Sequence, residues 1–318
     1  MDASTAPQPH PFLSQTAPQA PQSLLDRART LPLPRVALAN AGSPTALSGL
    51  LEAAQHGLAE PVLIGDPVRI RAAAAETGAD ISPFRLIDAP GPAAAQMAAR
   101  LARQGEADAI MKGQVHTSTF LQGLLPSKAG LRQPGAICGH VFHITRPGDD
   151  RPLLLTDAAL NVDPSVETRK ACLTHAIDLA RLLGIDRPRA GLLAATEDPI
   201  PSLPNTLESA EIAHWAKTAL PQADVAGPIA MDLMLSHAAA AIKHYDSPVA
   251  GAADIVVTPN ITTGNALFKL LTFGMGCCAG GIVMGAKVPI LLTSRAQGTA
   301  ARLATSALGM IVAHGHRP

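Results

Sequence analysis

The segment RVALANAGSPTALSGLLEAAQHGLAEPVLIG, residues 35–65, has the pattern of a strand, a helix and a second strand. Arg35–Ala39 and Pro61–Ile64 are short apolar runs typical of buried strands. Between them, Ser43 can cap a helix that has Pro44 at its first position and continues to about Leu58. This unit predicts a sheet with helices packed on it.

The same alternation continues along the chain. Helices are expected at Val68–Glu76 and Ala93–Arg103, and strands at Phe84–Ile87 and Asp108–Lys112. The order of strands and helices predicts an α/β fold, with a mostly parallel sheet and helices on both faces.

The alternation is interrupted near residue 136. Ile137–Thr145 and Pro152–Asp157 are strand-like runs joined by a segment that contains Pro-Gly-Asp-Asp, which predicts an antiparallel hairpin. Alternation then resumes. The strands expected there are Ala190–Thr196, Asp224–Ala230, Asp254–Thr258 and Ile282–Thr293, and the helices are Val166–Leu183, Thr206–Thr218, Leu233–His244, Ala266–Phe273 and Thr299–Val312.

Composition limits the class of protein. The length of 318 residues indicates two lobes, and residues 1–22, rich in Pro, Gln, Ser, Thr and Ala, predict a disordered tail. The 25 basic and 25 acidic residues balance, so a nucleic-acid partner is not expected. The sequence has neither a long uncharged apolar run nor a signal-peptide pattern, so no membrane partner is expected. Four cysteines without a CxxC pair favour reduced thiols and a cytoplasmic location.

Ligands of open α/β sheets bind beyond the carboxyl ends of strands, so the residues that follow each strand are the candidate binding groups. After Asp108–Lys112, Gly113 lets the backbone approach a ligand, and a helix beginning near Thr117 offers N–H groups to an anion. Lys112 adds positive charge and His116 lies in the same loop. The alternative is a surface turn with one solvated lysine.

Two further loops carry polar groups. Asp157 ends the second hairpin strand and is followed by Asn161. Asp157 and Asp163 are two nearby carboxylates, but without a third they give only a weak indication of a metal site. The loop after Asp254–Thr258 can present an amide, hydroxyls and backbone N–H groups to a ligand, or it can cap a helix. Its candidate residues are Asn260, Thr263, Gly264 and Asn265.

Two arginines complete the set of candidates. Arg295 follows the last apolar run beside Ser294, a pair suited to phosphate recognition. Ser294 could be a nucleophile only with a base beside it, and the GxSxG pattern of hydrolases does not occur there. Arg132 precedes the hairpin, where a single loop arginine is usually just solvated.

At these loops the chain resembles the phosphate acetyltransferase and phosphate butyryltransferase family. The resemblance covers roughly residues 35–315, and its Met-Lys-Gly and Gly-Leu-Arg stretches are more similar to the butyryl branch. It is carried by ADAIMKGQVHTSTFL (107–121), LLLTDAALNVDP (153–164), ADIVVTPNITTGNALFKLL (253–271) and GAKVPILLTSRAQG (285–298).

The resemblance implies a two-domain, three-layer αβα fold with mostly parallel sheets, similar to isocitrate and isopropylmalate dehydrogenases. Residues 23–136 plus 283–318 would form the first domain and residues 137–282 the second, with the active site in the cleft between them. The implied reaction converts acyl-CoA and phosphate to acyl phosphate and CoA, without a metal or redox cofactor. A homodimer or larger homo-oligomer is also implied.

The resemblance also implies roles for the candidate residues. Bound phosphate would attack the thioester directly, with Ser294 and Arg295 contacting the phosphate and the carbonyl oxygen. Thr263 and Asn265 would contact the phosphate or the pantetheine, and Lys112 and His116 would line the opposite wall. The other substrate-binding residues expected are Gly113, Thr117, Arg132, Asn161, Asn260 and Gly264.

Two positions depart from the acetyl branch. Ala301 stands where that branch has an aspartate, a candidate base for the CoA thiol, and Gly123 stands approximately where it has an arginine. His116 or Asp157 is then the expected substitute, unless CoA leaves as thiolate without a dedicated base.

Two other functions stay open at this point. One is a CoA- or acyl-phosphate-sensing protein that has lost turnover, which the alanine at position 301 motivates. The other is a decarboxylating NAD(P) dehydrogenase of the same architecture, which would need a carboxylate cluster for a divalent metal, and the acidic spacing indicates none.

Overall fold

The computed structural model describes residues 9–126, 130–132, 135–292 and 298–315. Its strands are β1 (Arg35–Ala39), β2 (Glu60–Gly65), β3 (Arg85–Asp88), β4 (Ala109–Lys112), β5 (Gly139–Thr145), β6 (Leu153–Thr156), β7 (Arg189–Leu193), β8 (Asp224–Ile229), β9 (Ile255–Val257), β10 (Cys278–Met284) and β11 (Ile290–Leu291). Its helices are α1 (Gln22–Arg29), α2 (Pro44–Gln55), α3 (Pro67–Thr77), α4 (Pro92–Arg103), α5 (Thr117–Leu124), α6 (Val166–Leu182), α7 (Pro204–Ala219), α8 (Met231–Leu235), α9 (His237–Ile242), α10 (Ile261–Lys269) and α11 (Thr299–Gly315). A π-helical turn, Leu270–Gly274, continues α10.

The described strands form one sheet in the order β3-β2-β1-β4-β11-β10-β5-β6-β9-β7-β8. The first five strands in this order are parallel to one another, and so are the last four. β10 and β5 between them are antiparallel to their neighbours. The mostly parallel α/β sheet and the β5–β6 hairpin predicted from the sequence are therefore confirmed.

The core has two faces because side chains alternate along each strand. Val36 and Leu38 of β1 point into a cluster that continues to Val141 of β5 and Ile255 of β9 beneath α1, α2, α6, α7 and α11. The intervening residues of β1 point to a second cluster under α4 and α5. A third cluster, on the same side as the second, packs β5, β6 and β9 against α8–α10.

Three predicted elements differ from the structure. Residues 282–293, predicted as one strand, contain parts of two antiparallel strands, because the chain turns at Gly285, which has φ of +89°. The helix predicted at Ala266 begins at Ile261, since Asn260 caps it earlier. The helix predicted over Leu233–His244 is divided at Ser236 into α8 and α9.

Part of the predicted disordered tail lies on the protein. We call residues 9–21 the N-terminal strap. The Ser14 N–H donates to the Phe273 carbonyl at 2.7 Å, and a Cβ on Gly276 would lie 2.6 Å from the Ser14 hydroxyl. The strap therefore packs closely against the π-helical turn, which the composition alone could not indicate.

Two global features concern the described residues only. None of their helices is long and apolar enough to span a membrane. The four cysteines, all described, are free and buried. The domain boundaries near residues 136 and 283 stay a prediction.

Candidate functional site

The loop between β4 and α5 is fixed to the end of β1. The Gly113 N–H donates to the Ala39 carbonyl at 2.8 Å, and the Gln114 N–H donates to the Asn40 carbonyl at 3.1 Å. A Cβ on Gly113 would collide with both carbonyl oxygens. Gly113 is therefore required for this close approach of two strand ends.

The neighbouring residues present polar groups at this edge of the sheet. Lys112 is half-buried, and its Nζ donates to the carbonyls of Val115 at 3.2 Å and Gly113 at 3.4 Å. His116 is exposed at the N-cap position of α5, and Thr117 is the exposed first residue of that helix. The first N–H groups of α5 lack partners within the helix, so this edge favours an anion.

Two cavities meet at this loop, and Gln114 lines both. One has a volume of about 200 Å³ and is lined by Lys112 and Arg302. The other, of about 360 Å³, is lined by Arg69 and His116. Arg69 donates to the Gln114 side-chain oxygen at 3.3 Å, which connects the walls of the two cavities.

Asp157 holds a tight turn at the end of β6. It is only 4% exposed, and its carboxylate accepts hydrogen bonds from the N–H groups of His140, Ala159, Leu160 and Asn161. The Asn161 side-chain amide also donates to it at 2.7 Å and to the Cys138 carbonyl at 3.0 Å. These bonds account for the acceptor capacity of the carboxylate, so Asp157 organises the turn.

The loop after β9 is the capped start of α10. The Asn260 side-chain oxygen accepts from the Thr263 N–H at 2.9 Å and from its hydroxyl at 3.0 Å. A Cβ on Gly264 would lie 2.7 Å from the Asp157 carbonyl oxygen, so only glycine allows α10 to pack on the turn. Asn265 donates to the Ala158 carbonyl at 3.4 Å. Asn260 therefore caps α10, and the binding role of this loop stays a prediction.

Arg132 lies beside the same turn. Its positive charge favours the thiolate of Cys138, although burial is the larger effect and raises the pKa of that thiol. The adjacent Leu131 is buried, and its carbonyl accepts from the Lys287 N–H at 2.7 Å.

The predicted residues thus form two groups. Lys112, Gly113, His116 and Thr117 follow β4, whereas the residues from Asp157 to Asn265 follow β6 and β9, which run in the opposite direction. Val115 and Leu160, one from each group, pack against the same hydrophobic cluster.

Ser294 and Arg295 lie outside the described residues. Their segment follows β11, next to β4 in the sheet, and precedes α11. Leu292, before it, donates to the Gly281 carbonyl at 3.4 Å.

Two arginines at this edge were missed by the sequence reasoning. Arg69 lies in the first turn of α3, directly after β2, and Arg302 lies in the first turn of α11. Each lies in the first turn of the helix that follows a strand, so extending the search through that turn would have found them. Among the described residues, no group of three or more His, Cys, Asp or Glu side chains is arranged to hold a metal.

Comparison with known proteins shows which family this chain resembles. The family described as Phosphate acetyl/butaryl transferase matches residues 91–309. A phosphate acetyltransferase of Rhizobium meliloti is 39% identical over 86% of this chain and 87% of that protein. A phosphate butyryltransferase of Clostridium acetobutylicum is 34% identical over 91% of this chain and 97% of that protein.

Solved structures show the same relationship. A branched-chain phosphotransacylase from Enterococcus faecalis V583 is 30% identical, with a TM-score of 0.77 over 89% of this chain and 99% of that one. A 4-hydroxythreonine-4-phosphate dehydrogenase from Burkholderia phymatum, 16% identical, shares the fold alone, with a TM-score of 0.54 over 88% of this chain and 98% of that one. The chain therefore belongs to the phosphate acetyl/butyryl transferase family, and the prediction of a phosphate acyltransferase is confirmed.

Proposed function

We propose that this chain transfers an acyl group from coenzyme A to inorganic phosphate, and the reverse, at the carboxyl ends of β1, β4 and β11. The observation that carries this assignment is the pair of polar cavities that meet at Gln114. Lys112, Arg302 and Arg69 bring three cations to their walls, as an enzyme that handles phosphate and a nucleotide-bearing substrate requires.

The two cavities differ in what they can hold. The smaller one, with Lys112 and Arg302, suits inorganic phosphate and lies beside α11, the helix that follows Ser294 and Arg295. The larger one, with Arg69 and the N-terminal end of α5, suits the charged part of CoA.

The chemical step needs positioning and charge more than covalent help. A phosphate oxygen attacks the thioester carbonyl carbon, the new C–O bond forms, the C–S bond breaks, and its electron pair leaves with the CoA sulfur. Arg295 stabilises the charge that develops on the carbonyl oxygen, a contribution of about 3–4 kcal/mol for one donor. Holding both substrates in one geometry supplies a further entropic gain.

His116 is the group we assign to proton transfer with the CoA thiol. It is exposed at the wall of the larger cavity, whereas the Asp157 carboxylate is occupied by five hydrogen-bond donors. The turn that Asp157 organises, with Arg132, Asn161, Thr263 and Asn265, would form the wall opposite Lys112 in a cleft between two domains. We also propose that the chain is a cytoplasmic homodimer.

The test is phosphate-dependent release of free CoA from acetyl-, propionyl- and butyryl-CoA, with arsenate as a parallel acceptor. We expect release that requires one of these anions, and a fall in kcat/KM of about 100-fold or more in Arg295→Ala. Arg71→Ala, at an exposed residue of α3, is the matched control.

Two outcomes contradict the proposal. Equal release without phosphate or arsenate would indicate thioester hydrolysis. CoA binding without any release would favour a sensing protein. A normal rate in Arg295→Ala would remove Arg295 from the mechanism.

A further inference from the structure

A third cavity lies at the start of α11, the helix that follows Ser294 and Arg295 in sequence, and differs from the first two in chemistry. Its volume is about 360 Å³. Its walls are the N-terminal strap, the π-helical turn, the start of β10 and the start of α11. The lining residues are Leu13, Ser14, Thr16, Pro18, Thr272, Phe273, Gly276, Cys277, Cys278, Ala279, Gly298 and Ala301.

The composition of this wall selects its ligand. None of the described lining residues carries a formal charge, so the described part of the wall offers no group to compensate a phosphate or a carboxylate. Leu13, Pro18, Phe273 and Ala301 instead supply aliphatic and aromatic carbon. An apolar cavity with a few hydroxyl groups at its wall is suited to a hydrocarbon chain.

The position of the cavity relates it to the reaction. Gly298 directly follows the segment that contains Ser294 and Arg295, and Ala301 lies in the first turn of α11. On the other side, the start of β10 belongs to the strand that pairs with β11. The cavity thus lies at residues that follow Ser294 and Arg295 closely in sequence, while Arg302, the next residue of α11, lines the small polar cavity.

The strap forms one wall of this cavity. The Ser14 N–H donates a hydrogen bond to the Phe273 carbonyl. The strap continues into α1, where the Ser23 N–H donates to the Asp150 carboxylate at 2.8 Å. Leu13 is 42% exposed and contributes to the wall, whereas its neighbour Phe12 is 78% exposed and does not. The strap is thus held at Ser14 and, through α1, at Ser23, so Leu13 has a fixed place in the wall.

We propose that this cavity binds the acyl chain of acyl-CoA, and that Leu13 of the strap and Ala301 set its length. This rests on the proposed acyl transfer and deepens it. The cavity, of about 360 Å³, is larger than an acetyl group needs. Acyl groups of about four to six carbons, straight or branched, fit it better.

The experiment compares kcat/KM for acetyl-, butyryl- and hexanoyl-CoA in single variants of the full chain. Ala301→Leu fills the cavity from α11, and Leu13→Glu places a charge in its wall. Each should lower kcat/KM for butyryl-CoA at least about tenfold and that for acetyl-CoA less than about threefold, because a hydrophobic pocket discriminates by about 10- to 200-fold for each methylene. Phe273→Ala should instead raise the ratio of hexanoyl to acetyl turnover.

Matched controls come from residues outside the cavity. Phe12→Ala changes the strap without changing the wall, and Ala241→Leu adds the same side chain at an exposed position of α9. Both should keep the wild-type chain-length profile.

An unchanged butyryl-to-acetyl ratio in Ala301→Leu and Leu13→Glu would overturn the inference while leaving acyl transfer intact. If Ala301→Leu does not fold, Leu13→Glu at the partly exposed strap decides. If the wild-type protein shows no phosphate-dependent turnover, acyl transfer itself fails. Calorimetry then compares butyryl-CoA with CoA: tighter binding of butyryl-CoA that Leu13→Glu abolishes supports the pocket, and equal affinities overturn it.

Discussion

Ala301 and Arg302 are adjacent on α11, yet they border cavities of opposite character. Ala301 lines the apolar cavity under the strap, and Arg302 lines the small polar cavity with Lys112. In the proposed reaction, the acyl chain and the phosphate would therefore bind on either side of the first turn of α11.

Arg302→Ala should weaken phosphate binding. The guanidinium donates to the Thr299 hydroxyl at 3.1 Å and to Glu52 at 3.4 Å, so it is held at the cavity wall. We expect KM for phosphate to rise about tenfold, with a smaller rise in Arg302→Lys, which keeps the charge without the planar fork. Initial rates at a series of phosphate concentrations measure this KM, and Arg181→Ala, at an exposed residue of α6, is the control. An unchanged KM would place phosphate elsewhere.

Gly113→Ala should destabilise the protein. The new Cβ would collide with the carbonyl oxygens of Ala39 and Asn40, which belong to the backbone and cannot rotate away. We expect a loss of about 1–3 kcal/mol in the free energy of unfolding, measured in urea. At Gly298 a Cβ would meet nothing within 4 Å, so Gly298→Ala is the matched control and should unfold like wild type. Equal midpoints for both variants would contradict the close approach.

Asp157→Asn separates a structural role from a catalytic one. The NH₂ group of the new amide would face N–H groups that now donate to the carboxylate, and it cannot accept their hydrogen bonds. We expect a loss of about 2–3 kcal/mol in the free energy of unfolding. The loss should be smaller when Asn161 is already alanine, because the two side chains share one hydrogen bond of 2.7 Å. A variant with unchanged stability but abolished kcat would instead make Asp157 a catalytic residue.

Stability should fall between neutral and mildly acidic pH because of two buried histidines on β5. Burial lowers the pKa of both His140 and His143 to about 4, and Asp157 and Asp150 oppose this only in part. The unfolded chain, with histidine pKa values near 6.5, therefore takes up protons that the native protein excludes. The contribution of the two neutral histidines to the free energy of unfolding is fully present above about pH 6.5 and is lost as the pH falls toward 4.

Urea unfolding at several pH values measures the slope of the free energy of unfolding against pH. His140→Phe should reduce it by about one proton, since Phe also packs beside Phe142, whereas a change at the exposed His214 should not. The same slope in wild type and His140→Phe would contradict the assignment.

Much of the fold could be predicted from the sequence, because strand and helix periods are local. β1 was predicted to the residue, and α6 to within one residue at its end. The division of residues 282–293 between two strands depends on how Gly285 lets the chain reverse, which an apolar run does not record.

The site was predicted less completely. The loops after β4, β6 and β9 were found because strand ends are visible in the sequence. The burial of Asp157 is tertiary, and so is the contact between the strap and Phe273. A polar residue after a strand has the same sequence signature whether it binds a ligand or holds a turn.

The burial of the cysteines affects how released CoA can be assayed. Burial raises the pKa of each thiol, for Cys172 and Cys278 to about 12, so little thiolate is present near neutral pH. An aromatic disulfide reagent added to the reaction should therefore develop colour from released CoA and hardly at all from the protein. Cys277 and Cys278 line the cavity under the strap, so slow labelling at these two residues, located by mass spectrometry, would report how often the strap lifts.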